Sequence, residues 1–133
     1  MNKIYLDNSI VNVLIPAYKA HKFIEKTLDS IQYQTWDGII KIFVCVDGCK
    51  KTLKKIKQIQ YKYKNLTIMF CKENKGTYVT INTMLSVIKS GTILVFGADD
   101  NMHKNMIEEI MKENIMGVVR NDGVLVAPIE KIK

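Results

Sequence analysis

The sequence predicts an α/β domain: a mostly parallel (mixed) central sheet flanked by helices, with a short C-terminal β-hairpin. Three observations carry this. Apolar runs of strand length alternate with segments of helical period, in the order β-α-β-α-β-α-β-α-β-β. Two of the runs, Ile39–Val46 and Thr92–Phe96, are almost unbroken, as in strands buried on both faces. Strands separated by helices in this way form parallel sheets through right-handed crossovers.

Val11–Ile15 is the first strand, ended by Pro16, which has no N–H to give a ladder. His21–Tyr33 follows as a helix, with Phe23, Ile24, Thr27, Leu28 and Ile31 on one face. Trp36-Asp37-Gly38 turns the chain into Ile39–Val46, which ends at the turn residues Asp47-Gly48-Cys49. Lys51–Lys64 is a helix, because Leu53, Ile56, Ile59 and Tyr63 share one sector and the lysines fill the other. Thr67–Cys71 is the third strand, and Lys72–Gly76 a polar loop. Ile81, Met84, Leu85 and Ile88 then keep helical spacing up to a glycine stop at Ser90-Gly91. Thr92–Phe96 leads into Gly97-Ala98-Asp99-Asp100, after which Asn101 is placed to cap a helix reaching Asn114, with Met106, Ile107, Ile110 and Met111 inward. Met116–Val119 and Val124–Ala127, around Asn121-Asp122-Gly123, complete the pattern as a hairpin.

A chain of 133 residues is one domain, 1–133, and its 47% hydrophobic and 25% charged content is globular rather than disordered. The formal charge of +7 favours anionic partners, and seven lysines between Lys50 and Lys64, without an acid among them, equal that surplus. Cys45, Cys49 and Cys71 form no C-x-x-C pair, which argues against a zinc site or a disulfide framework and for a reducing compartment. Met1–Asn8 has no apolar signal core and no run reaches the length of a membrane span, so the expected location is cytoplasmic.

A parallel sheet places its βα loops along one edge, where ligands of open α/β sheets bind. Three such loops carry polar groups suited to binding: Pro16-Ala17-Tyr18-Lys19, Asp47-Gly48 and Asp99-Asp100. Each alone has a structural explanation, as edge cover, turn or helix cap. Their convergence points to an anionic ligand. Adjacent carboxylates at a strand tip are natural ligands for Mn²⁺ or Mg²⁺.

The runs V-N-V-L-I-P-A-Y, T-L-D-S-I-Q-Y-Q-T-W, I-F-V-C-V-D-G, K-E-N-K-G and I-L-V-F-G-A-D-D follow one another between Val11 and Lys112. In that order they resemble the family 2 glycosyltransferases of the GT-A fold, whose nucleotide-binding half is Rossmann-like. The resemblance implies an inverting transferase using a nucleotide-diphosphate sugar, UDP-linked by expectation, with Mn²⁺ or Mg²⁺. It implies that Pro16, Ala17 and Tyr18 hold the base and that Asp47 accepts a hydrogen bond from the uracil ring. Gly76 and Asn82 match positions near the nucleotide, and Asp99 matches the last acid of the D-x-D element, with Asp100 beside it as a second metal ligand.

The sequence departs from that pattern at several positions. Val46 and Cys49 replace the first acid and the serine of D-D-G-S, Lys19 replaces an asparagine, Ile81 an arginine, and Gly97 the first acid of D-x-D. Thirty-three residues follow Asp100, fewer than the acceptor-binding half of the family needs, so the expectation is a donor-binding part without a recognisable catalytic base. Asp122 and Glu130 sit in no motif. The acceptor is unknown, whether glycan, lipid or protein, and self-association through exposed apolar surface is expected. The alternatives are a non-catalytic nucleotide-binding module and a nucleic-acid-binding protein using the Lys50–Lys64 face; no nucleic acid is expected under the main reading. His103, four residues beyond Asp99, is read as a solvated residue in the first turn of the next helix.

Overall fold

A computed structural model describes residues 6, 10–113 and 125–129. The elements are β1 (Ile10–Ala17), α1 (Ile24–Gln32), β2 (Ile39–Asp47), α2 (Lys50–Ile59), β3 (Leu66–Cys71), α3 (Thr77–Leu85), β4 (Thr92–Val95), α4 (Met106–Glu113) and β5 (Leu125–Pro128), with a 3₁₀ turn at Gln60–Lys62 after α2. The sheet order is β3-β2-β1-β4-β5. β1 pairs in parallel with both β2 and β4, β2 in parallel with β3, and β5 runs antiparallel to β4. The mixed α/β sheet expected from the sequence is therefore present. β5 covers the second arm of the expected hairpin and pairs with β4; residues 116–119 and 121–123 lie outside the described part of the chain.

The sheet is buried on both faces, which is why β1 and β2 read as continuous apolar runs. One face carries α1, α2 and α4, whose Ile24, Leu28, Ile56 and Ile107 pack on Val13, Ile15 and Val44. The other face carries α3 and the Ile88 turn after it, with Met84 and Ile88 against Leu14, Phe43 and Ile93. All three cysteines are free thiols; Cys45 Sγ lies 3.7 Å from Cys71 Sγ, and burial pushes the Cys45 thiol up to about 12.

Four local expectations need correction. β1 continues through Pro16 to Ala17, which pairs with Val46. The Leu14 carbonyl accepts from Phe96 N–H on the β4 side. Pro16, two residues on, faces the same side just beyond the end of β4, so its missing N–H removes no ladder bond. Phe23 is not on the buried face of α1: it precedes the helix and is 50% exposed. α3 ends at Leu85, because Val87 and Ile88 N–H groups bond three residues back and tighten the chain out of the helix before Gly91. α4 begins at Met106, so Asn101 does not cap it and His103 precedes it.

Candidate functional site at the strand tips

The strand order reverses around β1, with β2 on one side and β4 on the other, so the switch point of the sheet lies beside the C-terminal end of β1. The tips of β1, β2 and β4 bring Tyr18, Asp47 and the Asp99-Asp100 turn to this one edge. Three buried polar side chains, Thr52, Asp47 and Thr27, each hold one of the loops that meet there.

The loop after β1 is held from α2. Ala20 N–H donates to the Thr52 hydroxyl at 3.0 Å, and Lys19 turns the chain in the left-handed region, with φ of 51°. Pro16 is partly and Ala17 fully buried, whereas Tyr18 is 49% exposed and open to a ligand, with the Lys19 ammonium 5.3 Å from its ring centre.

Asp47, the last residue of β2, is 4% exposed. One carboxylate oxygen accepts the Lys75 N–H at 2.6 Å and the other the Gly76 N–H at 2.8 Å. These charge-assisted bonds fold the polar loop back onto the β2 tip. The approach is so close that a Cβ on Gly48 (φ +71°) would meet the Asn74 nitrogen at 2.7 Å. Gly76 itself has φ of +92° and faces open space. The base contact expected of Asp47 thus competes with a bond to the loop already made by each of its oxygens. Asn82 is exposed on α3, six residues, or about 9 Å of helix rise, beyond Gly76, and is not drawn into this cluster.

The acidic turn after β4 is closed by Asp100 N–H donating to the Gly97 carbonyl at 3.2 Å. Both carboxylates are exposed. A Cβ on Gly97 would stand 2.5 Å from Asp100 Oδ2 and 3.3 Å from Asp99 Oδ1, so the two carboxylates converge over this glycine. Asp100 fills the space that a first acid at position 97 would use. The pair suits a hard divalent cation, which commonly takes one or two protein carboxylates and completes its shell with phosphate oxygens and water. Among the described residues no group of three or more His, Cys, Asp or Glu is placed to hold a metal. His103 Nε2 lies 3.0 Å from Glu109 Oε2 rather than at the acidic turn.

The residues that hold this turn lie in the T-L-D-S-I-Q-Y-Q-T-W run, to which the sequence reading gave no role in holding it. The Thr27 hydroxyl lies 2.7 Å from the Asp100 carbonyl and 2.9 Å from that of Ala98, sharing its proton between them. Ser30 Oγ accepts the Met102 N–H, Gln34 bonds the His103 carbonyl and the Ile107 N–H, and Thr35 N–H reaches the Lys104 carbonyl. The T-x-x-S-x-x-x-Q-T spacing is therefore a docking strip for the acidic turn and the start of α4. The available signal was a threonine on an otherwise apolar helix face.

Residues 12–115 match Glycosyl transferase family 2. The chain belongs to that family. It is 26% identical over 103 residues to the putative teichuronic acid biosynthesis glycosyltransferase TuaG of Bacillus subtilis, covering 75% of this chain and 40% of the relative. It is 32% identical over 101 residues to glycosyltransferase AglE of Haloferax volcanii, covering 74% of this chain and 33% of that one. The processive diacylglycerol β-glycosyltransferase of Mycoplasma pneumoniae is 26% identical over 124 residues, 88% of this chain and 36% of that one. The family 2 chain thus spans between a third and two fifths of the length of these relatives. Its fold is shared by S. aureus TarS in complex with UDP, at TM-score 0.68 and 22% identity, covering 77% of this chain and 31% of TarS. A mannosyltransferase of Pyrobaculum calidifontis in complex with GDP-Man and Mn²⁺ has TM-score 0.64 at 20% identity, covering 76% of this chain and 32% of that one. Among the described residues no helix is long and apolar enough to cross a membrane. Asp122 and Glu130 lie outside the described residues, so no catalytic base is assigned.

Proposed function

We propose that this chain is the donor-binding part of a glycosyltransferase and that it holds the nucleotide diphosphate of a sugar donor at the switch point beside β1. One observation carries the reading: three loops, anchored separately by Thr52, Asp47 and Thr27, meet at one sheet edge with an open aromatic ring at one side and two converging carboxylates at the other.

The half-exposed ring of Tyr18, on the Pro16-Ala17 backbone, stacks on the base. Asp47 fixes Gly76 against the nucleotide, and a base N–H would share its carboxylate with the two loop bonds already there. Asn82 contributes from the exposed side of α3. Asp99 and Asp100 would hold Mn²⁺ or Mg²⁺, which when bound would supply charge neutralisation for a diphosphate leaving group. UDP is the preferred nucleotide because the TarS neighbour is complexed with it; GDP is the comparison, since the archaeal neighbour is complexed with GDP-Man. α3 and the turn after it leave Tyr78, Val79 and Val87 exposed, which supports self-association in the isolated chain. A monomer by light scattering at high concentration would remove that part of the reading.

Calorimetry with UDP and GDP, each with and without Mn²⁺, tests the donor assignment. Metal-dependent heat with UDP is expected; no heat with either nucleotide refutes it. Slow hydrolysis of a UDP-sugar separates an enzyme from a binding module that has lost catalysis.

A further inference from the structure

The lysine-rich α2 is divided by its surroundings. Lys55 and Lys62 turn toward α1, where Lys62 Nζ lies 2.7 Å and Lys55 Nζ 3.3 Å from the Glu25 carboxylate. Lys50, Lys54 and Lys57, at helical spacings of four and three, face the other way. Together with Leu53, Gln58 and Phe70 they line a surface groove of about 510 Å³. No carboxylate is among these lining residues. The floor is apolar: Phe70, on the outermost strand β3, is 36% exposed, and Leu53 is half-buried beside it. A merely solvated helix face accounts for the lysines but not for an aromatic ring left open beneath them.

We propose that this groove is a docking surface for an anionic bilayer, with the three ammonium groups on lipid phosphates and Phe70 and Leu53 against the glycerol and upper acyl region. Amphipathic surfaces of this composition lie in the interface plane, and clustered cations add to the attraction of anionic lipid. Nucleic acid is the less suitable occupant, because single strands are held by successive aromatic platforms and the groove offers one ring at its floor. Lys50 opens α2 two residues after Gly48, so the groove starts near the strand tips. Docking here would bring the strand-tip site to the lipid surface. The inference rests on the α2 groove alone and is independent of the donor assignment.

Flotation with phosphatidylcholine vesicles, with and without about a third phosphatidylglycerol, tests it; that fraction makes the surface strongly anionic. The 133-residue chain should float with the anionic vesicles and not with the neutral ones. The triple variant Lys50→Gln/Lys54→Gln/Lys57→Gln should bind about a hundredfold more weakly, at about fivefold per lysine. A triple of equal charge loss elsewhere, Lys89→Gln/Lys104→Gln/Lys112→Gln, should stay within a few-fold of the parent. Phe70→Ser should lose the binding that survives high salt. Absence of flotation, or equal loss in the two triples, would overturn the proposal. Displacement of the chain from vesicles by a single-stranded oligonucleotide, lost in the first triple alone, would assign the groove to nucleic acid instead and overturn it as well.

Discussion

The carboxylate of Asp47 receives the Gly76 N–H at 2.8 Å while its other oxygen receives that of Lys75 at 2.6 Å, so the tip of β2 and the start of α3 are one unit. Asp47→Ala should therefore destabilise the fold by about 2–4 kcal/mol in urea unfolding, because two charge-assisted bonds go and two backbone donors lose their acceptors. Nucleotide affinity should fall with it. Asp47→Asn keeps one acceptor and should lie between. A variant as stable as the parent would mean that the loop is held by something else.

The convergence of Asp99 and Asp100 over Gly97 makes the glycine a requirement of this acidic turn. Gly97→Ala places a methyl 2.5 Å from Asp100 Oδ2 and must push that carboxylate aside. The expected outcome is a several-fold loss of Mn²⁺-dependent UDP affinity in calorimetry with little change in melting temperature. Unchanged affinity would show that Asp100 has no part in holding the metal.

Thr27 acts on the same turn from beneath. Thr27→Val preserves shape but leaves the Ala98 and Asp100 carbonyls without their shared donor, at a cost of about 1–3 kcal/mol. Because the side chain is fully buried and out of a ligand's reach, a fall in UDP affinity in this variant reports loop position rather than lost contact. Affinity equal to the parent's would show that the turn keeps its geometry without Thr27.

Acid should loosen the join between α1 and the end of α2. Hydrogen bonds from Lys62 and then Lys55 hold the Glu25 carboxyl below its ordinary value of 4.5. A depressed carboxyl contributes stability that is fully present above the unfolded value and is lost as pH falls through the folded one. Lys62, raised chiefly by its bond to Glu25, has the opposite sign: its share persists up to its ordinary value of 10.5 and is lost above it. Melting temperature followed downward from pH 5 should fall more in the parent than in Glu25→Gln. Parallel pH profiles would contradict the assignment.

Much of this was legible in the sequence because burial leaves strong marks. The unbroken runs of β2 and β4 and the apolar face of α2 gave the right elements, and the acids at the end of β2 and after β4 were rightly expected on one edge of the sheet. What was not legible depends on tertiary partners. Asn101 has the side chain of a helix cap, yet α4 starts at Met106, where the Gln34 side chain meets the Ile107 N–H from another element. Pro16 reads as a strand stop unless one knows that β4 ends at Val95. Asp47 was visible as an acid at a strand tip, but its commitment to Lys75 and Gly76 spans 28 and 29 residues and leaves no local trace.

The most direct test of the central claim is a UDP titration in the presence of Mn²⁺, comparing the parent chain with Asp99→Ala. Asp99 is exposed, and among the described residues no hydrogen bond or ion pair involves its carboxylate, so the variant should unfold like the parent. The donor assignment predicts heat with the parent that disappears when Mn²⁺ is left out and is lost in Asp99→Ala. Equal heats for parent and variant, or binding indifferent to the metal, would contradict it.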